Sequence, residues 1–131
     1  MYSKPQLEGI ILAKSIPELT IYKNPKKQVG YEVRIRVVFR GNEDFLLGIQ
    51  RSLNQQQIHS KYKEIESKTR NAPVLRITGI ENLMLLTDLT PKLPDSKNKW
   101  HNFRDVIDIM WTGLHTTQEG LDRLLKLKGV I

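Results

Sequence analysis

Cysteine is missing from this chain altogether, which removes both a disulfide framework and a thiolate metal site. No apolar run approaches the roughly 20 residues of a membrane span, so no membrane partner is expected. The N-terminus lacks the basic and apolar regions of a signal peptide and is too short for a transit peptide. The expectation is therefore a protein that works where it is made, or one whose targeting segment lies outside this sequence. The three histidines, at 59, 101 and 115, are scattered without metal-ligand spacing. No nucleophile–base pair, phosphate-cradling glycine loop or internal repeat is visible. Acid is scarce: 14 Asp and Glu stand against 21 Lys and Arg, a formal charge of +7. Such an excess favours a polyanionic partner, because cations that neutralise phosphates release counterions. The rest of the composition is ordinary. A chain of 131 residues with 39% hydrophobic and 27% charged side chains reads as one domain over 1–131, able to bury one core.

The positive charge is unevenly placed. Residues 20–40 carry Lys23, Lys26, Lys27, Arg34, Arg36 and Arg40 against Glu32 alone, whereas residues 100–131 balance. The basic stretch also alternates. Leu19 and Ile21 interleave with Glu18, Thr20 and Tyr22; Tyr31, Val33, Ile35, Val37 and Phe39 interleave with Glu32, Arg34, Arg36 and Arg40. This period of two predicts half-buried antiparallel strands with one apolar and one basic face. The basic face is either a solvated surface or a ribbon that lies against nucleic acid, where Arg pairs with guanine and Gln with adenine.

The remaining elements follow in order. Leu7-Glu8-Gly9-Ile10-Ile11-Leu12-Ala13-Lys14-Ser15 is an apolar helix with Pro5 near its start, and Gly9 and Ala13 share a face. After the strands, Phe45, Leu46, Ile49 and Leu53 give helical spacing, ended by Asn54-Gln55. Residues 57–63 alternate as a third strand, 64–71 form a charged loop, and 74–78 make a short fourth strand. Ile80, Leu83, Leu86 and Leu89 make a helix face, and Trp100, Phe103, Ile107 and Met110 another, with the aromatics in the core. Thr116 and Glu119 read as a capping box before the closing helix.

The run from the apolar helix through a strand, the Asn24-Pro25-Lys26-Lys27 turn and a second strand opening Gly30-Tyr31 resembles the LAGLIDADG homing endonucleases. Leu7, Gly9 and Ala13 match the signature's Leu, Gly and second Ala, and Ile10 and Ile11 its Leu-Ile. Among the departures, Leu12 and Lys14 stand where the two aspartates fall, and Ser15 replaces the closing glycine. The resemblance implies an α+β αββαββα domain with a four-stranded antiparallel saddle-shaped sheet and C-terminal helices. It implies pairing through Leu7, Gly9, Ile10 and Ala13, with an identical chain or with a related chain of the family. It also implies double-stranded DNA as partner, or structured RNA if the chain acts like the family's maturases. An organelle, mitochondrion or chloroplast, is the implied home, and otherwise the cytoplasm.

In this family an acid from each signature helix holds Mg²⁺ beside the scissile phosphate. Lys14 has no oxygen and repels a cation that requires oxygen ligands. Cleavage is therefore expected to be lost, with Glu18 as the nearest replacement acid, no metal site and no cofactor, and Mg²⁺ only if the chain is active after all. Lys97, after Ser96, matches a family lysine near the active centre. The candidate nucleic-acid contacts are Thr20, Tyr22, Lys26, Lys27, Arg34, Arg36, Arg40, Gln57, His59, Lys61 and Arg76. The alternatives are an active intron-encoded endonuclease and an RNA-binding maturase or structural RNA-associated protein.

Overall fold

A computed structural model describes residues 1–92 and 99–128. Its elements run α1 (Lys4–Lys14), β1 (Ile16–Lys23), β2 (Tyr31–Arg40), α2 (Glu43–Gln55), β3 (Lys61–Lys63), β4 (Val74–Ile77), α3 (Ile80–Leu89), α4 (Lys99–Trp111) and α5 (Gln118–Lys128). The strands form one sheet in the order β1-β2-β4-β3, with β4 antiparallel to both β2 and β3. This is the expected order of helices and strands. None of the described helices is long and apolar enough to cross a membrane.

The chain divides into two compact units. The first comprises Met1–Ile16 and Arg36–Pro91. Here α1 begins three residues earlier than its apolar run, because Ser3 and Gln6 form a reciprocal capping box and Pro5 occupies the first turn. Leu7 and Ile11 are buried and belong to this unit's core with Val37, Phe39, Leu46, Ile49, Leu53, Leu75, Ile77, Leu83 and Leu86. Tyr2 is docked on α2. Its N–H donates to Ser52 Oγ at 2.8 Å, and its ring lies so close to Gly48 that a Cβ there would come within 2.8 Å.

The second unit comprises Pro17–Ile35 and Lys92–Ile131. Its core is Leu19, Trp100, Phe103, Val106, Ile107, Ile109, Leu121 and Leu124, with Trp100 and Phe103 edge to face at 5.5 Å. The aromatics are core, as expected. The closing helix is capped one residue later than its sequence suggests. Thr116 ends a short 3₁₀ turn, Leu114–Thr116, and Thr117 Oγ1 accepts from Gly120 N–H at 3.1 Å. The position three residues beyond this cap is thus Gly120 rather than Glu119, so no capping box forms.

Candidate nucleic-acid interface

The turn between β1 and β2 is built by its own backbone. Asn24 N–H donates to Gly30 O at 2.9 Å, and Lys27 N–H to Asn24 O and Gly30 N–H to Lys27 O at 3.0 Å each. Gly30 takes a left-handed φ of +78°, which only glycine adopts freely. Asn24 Oδ1 accepts from Lys26 N–H at 3.1 Å. Held this way, Lys26 and Lys27 are exposed.

Beside the turn, on the polar face of β1 and β2, Glu32 is the hub. It accepts from the Tyr22 hydroxyl and from Asn24 Nδ2 at 3.2 Å. Its other oxygen is 3.6 Å from Arg34 Nη2, and the Arg34 guanidinium lies 5.4 Å over the Tyr22 ring. The hydrogen bond from Tyr22, then that from Asn24, holds the Glu32 carboxyl below its ordinary range, and the same bond raises the Tyr22 phenol. Arg34 remains 70% exposed. Thr20 is exposed on the same unit.

In the first unit, strand register sets the polar face. Val38 lies opposite Arg76 and Arg76 opposite Lys61, so the three share one side. Arg40 Nε and Nη2 each donate to the Glu66 carboxylate at 2.8 Å, and Arg76 Nη2 is 3.9 Å from it. Glu66 is only 7% exposed. The Arg40 hydrogen bonds, with the charges of Arg40, Arg70 and Arg76, pull its pKa from 4.5 to about 2 against the opposing effect of burial. Lys63 Nζ adds a bond to the Glu66 carbonyl at 3.3 Å.

The candidate contacts therefore fall into separate groups. Thr20, Lys26, Lys27, Arg34 and Lys61 are exposed, and Tyr22 and Arg36 half-buried. Arg40 and Arg76 do not stand ready on an open face, because Glu66 engages both. Gln57 and His59 are not on a strand: β3 is three residues long. Gln57 sits at φ +63° in the turn after α2, and His59 N–H donates to Asn82 Oδ1 at 3.1 Å. Of the four pairing positions, Gly9 and Ala13 are exposed and Ile10 half-buried, but Leu7 is 1% exposed in its own core and has no side chain to offer a second copy. Lys97 lies outside the described residues. Sequence reasoning missed the roles of Glu32 and Glu66. The spacing of Glu32 two before Arg34 was a readable signal for the first; Glu66, in a loop without periodicity, carried none.

The side chain at the signature position is not an oxygen donor for Mg²⁺. Lys14, exposed at the last position of α1, presents an ammonium, and Glu18 is a single half-buried carboxylate on β1. Among the described residues no group of three or more His, Cys, Asp or Glu comes together.

No family model and no curated protein sequence matches this chain. Solved structures do match it in fold. The homing endonuclease I-TnaI superposes with a TM-score of 0.80 at 17% identity, over 97% of this chain and 86% of the other. The LAGLIDADG homing endonuclease I-LtrWI, bound to target DNA, superposes with a TM-score of 0.81 at 19% identity, over 99% of this chain and 44% of the other. I-SmaMI, bound to an uncleaved DNA target in the presence of calcium ions, gives 0.78 at 21% identity, over 98% and 44%. The chain thus spans most of I-TnaI but less than half of I-LtrWI and I-SmaMI. With the helix, basic turn and Gly-Tyr strand already resembling that family in sequence, the chain has the fold of the LAGLIDADG homing endonucleases.

Proposed function

We propose that this chain binds double-stranded DNA as a two-fold pair and does not cut it. The observation that carries the reading is Lys14, an exposed ammonium at the end of α1, where the resemblance calls for a metal-holding acid. It attracts a phosphate without a metal. The exposure of Lys26, Lys27 and Lys61 supports a role for them in phosphate contacts, and the exposure of Arg34 supports base-edge reading by it. Pairing is supported by α1, where Gly9 and Ala13 are exposed and a Cβ on Gly9 would meet no atom within 4 Å. A two-fold pair of this kind is isologous, with each α1 facing its counterpart.

The test is a gel shift and a cleavage assay on one pool of random-sequence DNA duplexes, with Mg²⁺ and with chelator. A shifted complex that persists in chelator, weakens steeply with salt and yields no cut strands is the expected result. Metal-dependent double-strand cleavage abolished by Glu18→Gln would overturn the non-cutting reading and make Glu18 the replacement ligand. Binding to structured RNA with none to duplex DNA would overturn the DNA assignment.

A further inference from the structure

Arginine is the side chain best suited to pair with guanine O6 and N7, but an untethered one loses much rotamer freedom when it does so. In this chain Arg34 already has two neighbours in the absence of nucleic acid. Arg34 is flanked on two sides, by Glu32 Oε1 at 3.6 Å and by the Tyr22 ring at 5.4 Å. Glu32 is itself held, because its other oxygen accepts from the Tyr22 hydroxyl and from Asn24 Nδ2. Asn24 is in turn locked to the turn backbone through Lys26 N–H and Gly30 O. A chain of contacts thus runs from the Asn-Pro-Lys turn to one guanidinium that is still 70% exposed.

We infer that Glu32 is a specificity-determining positioning residue, which orients Arg34 through the Tyr22–Asn24–Glu32 cluster to read a guanine in the DNA major groove. Placing a carboxylate on a DNA-facing surface weakens attraction to phosphates in general. Its gain lies in discrimination, since an Arg34 aimed by Glu32 pairs well with guanine and poorly with the other bases. The inference rests on the DNA-binding reading above and adds to it the base that this residue reads and the residue that aims it.

The experiment selects bound sequences from the random duplex pool with the unmodified protein, Glu32→Gln, Arg34→Ala and the double variant. Arg34 Nε–H dynamics in the DNA-free proteins are measured by ¹⁵N relaxation. The unmodified protein should enrich guanine at one position of each half-site, and Arg34→Ala should lose that preference. Glu32→Gln should reduce it by about tenfold while raising affinity for the unselected pool and loosening the Arg34 signal. In the Arg34→Ala background, Glu32→Gln should change no base preference, because the two act as one unit. A merely structural Glu32 would instead lower affinity for every sequence and do so in both backgrounds, which would overturn the inference, as would an unaltered guanine preference. Failure of the unmodified protein to bind any duplex would sink the DNA-binding reading itself, and duplex binding with preferences untouched by Glu32→Gln would sink only this one.

Discussion

At the scale of single residues, Glu66 shows how a carboxylate redirects nearby cations. Two arginines on a basic strand face read as available from sequence, because charge and alternation say nothing about a loop that folds back. The structure gives Arg40 two hydrogen bonds to Glu66 at 2.8 Å and puts Arg76 within 3.9 Å. The folded pKa of Glu66, about 2, lies below the ordinary 4.5. A depressed carboxylate contributes stability that is fully present above its unfolded pKa and is lost as pH falls through the folded value. Glu66→Gln should therefore destabilise the protein near neutral pH by about 2 kcal/mol, the scale of a charge-assisted hydrogen bond removed from a partly buried site. Between about pH 4.5 and 2 the unmodified protein should lose that advantage, and the two should converge. Denaturant midpoints across that range check this; a gap that stays constant down to pH 2 would clear the carboxylate of the effect.

At the scale of elements, α1 has one buried and one exposed face. Leu7 and Ile11 are buried in their own unit, whereas Gly9 and Ala13 are exposed. Gly9→Leu should leave the melting temperature within a few degrees of the unmodified protein, since a side chain there meets no neighbour and glycine is the poorer helix former. It should nonetheless abolish self-association in light scattering. Gly120→Ala is the contrast: its Cβ would fall 1.8 Å from Leu114 O, so that variant should melt early whatever the oligomeric state. Persistence of the pair in Gly9→Leu would move the interface off α1. Elements of long, regular period were legible in the sequence: both basic strands, α2, α3, α4 and α5 lie where their apolar spacing put them. The errors fall where local turn chemistry overrides period. Gln57 takes a left-handed turn after α2, so alternation in 57–60 made no strand. Thr117 captured the cap that Thr116 seemed to hold, because residues 114–116 coil into a 3₁₀ turn. The exposure of Lys26, Lys27 and Arg34 was readable from the turn and the alternation. The carboxylates beside the arginines, Glu32 and Glu66, were not readable from alternation as their partners, because those contacts form only in the fold.

At the scale of the whole molecule, the chain combines an endonuclease fold with a cation at the signature position, and Lys14→Asp separates the two contributions. A cation in the last turn of a helix interacts favourably with the helix dipole, by about 0.3–1 kcal/mol, and an anion there does the reverse. Lys14 belongs to the last turn of α1, so Lys14→Asp should lower the melting temperature in chelator by a few degrees. In a two-fold pair the variant supplies two carboxylates, and Mg²⁺ or Ca²⁺ should recover part of that stability by binding between them. Affinity for duplex DNA in chelator should fall, because each copy exchanges an attraction for a repulsion. The slope of log affinity against log salt should shrink by roughly 0.9 for each phosphate that is no longer neutralised. Cleavage should stay marginal even with metal. The carboxylate would extend from a helix whose neighbouring positions are Leu12, the buried Ser15 cap and the buried Pro17, and catalytic groups must be held within about half an ångström by their surroundings. Robust double-strand cleavage by Lys14→Asp would show that those surroundings were still intact and that a single residue separates this chain from an active nuclease. A variant that gains no metal-dependent stabilisation at all would instead place Lys14 away from the axis of the pair.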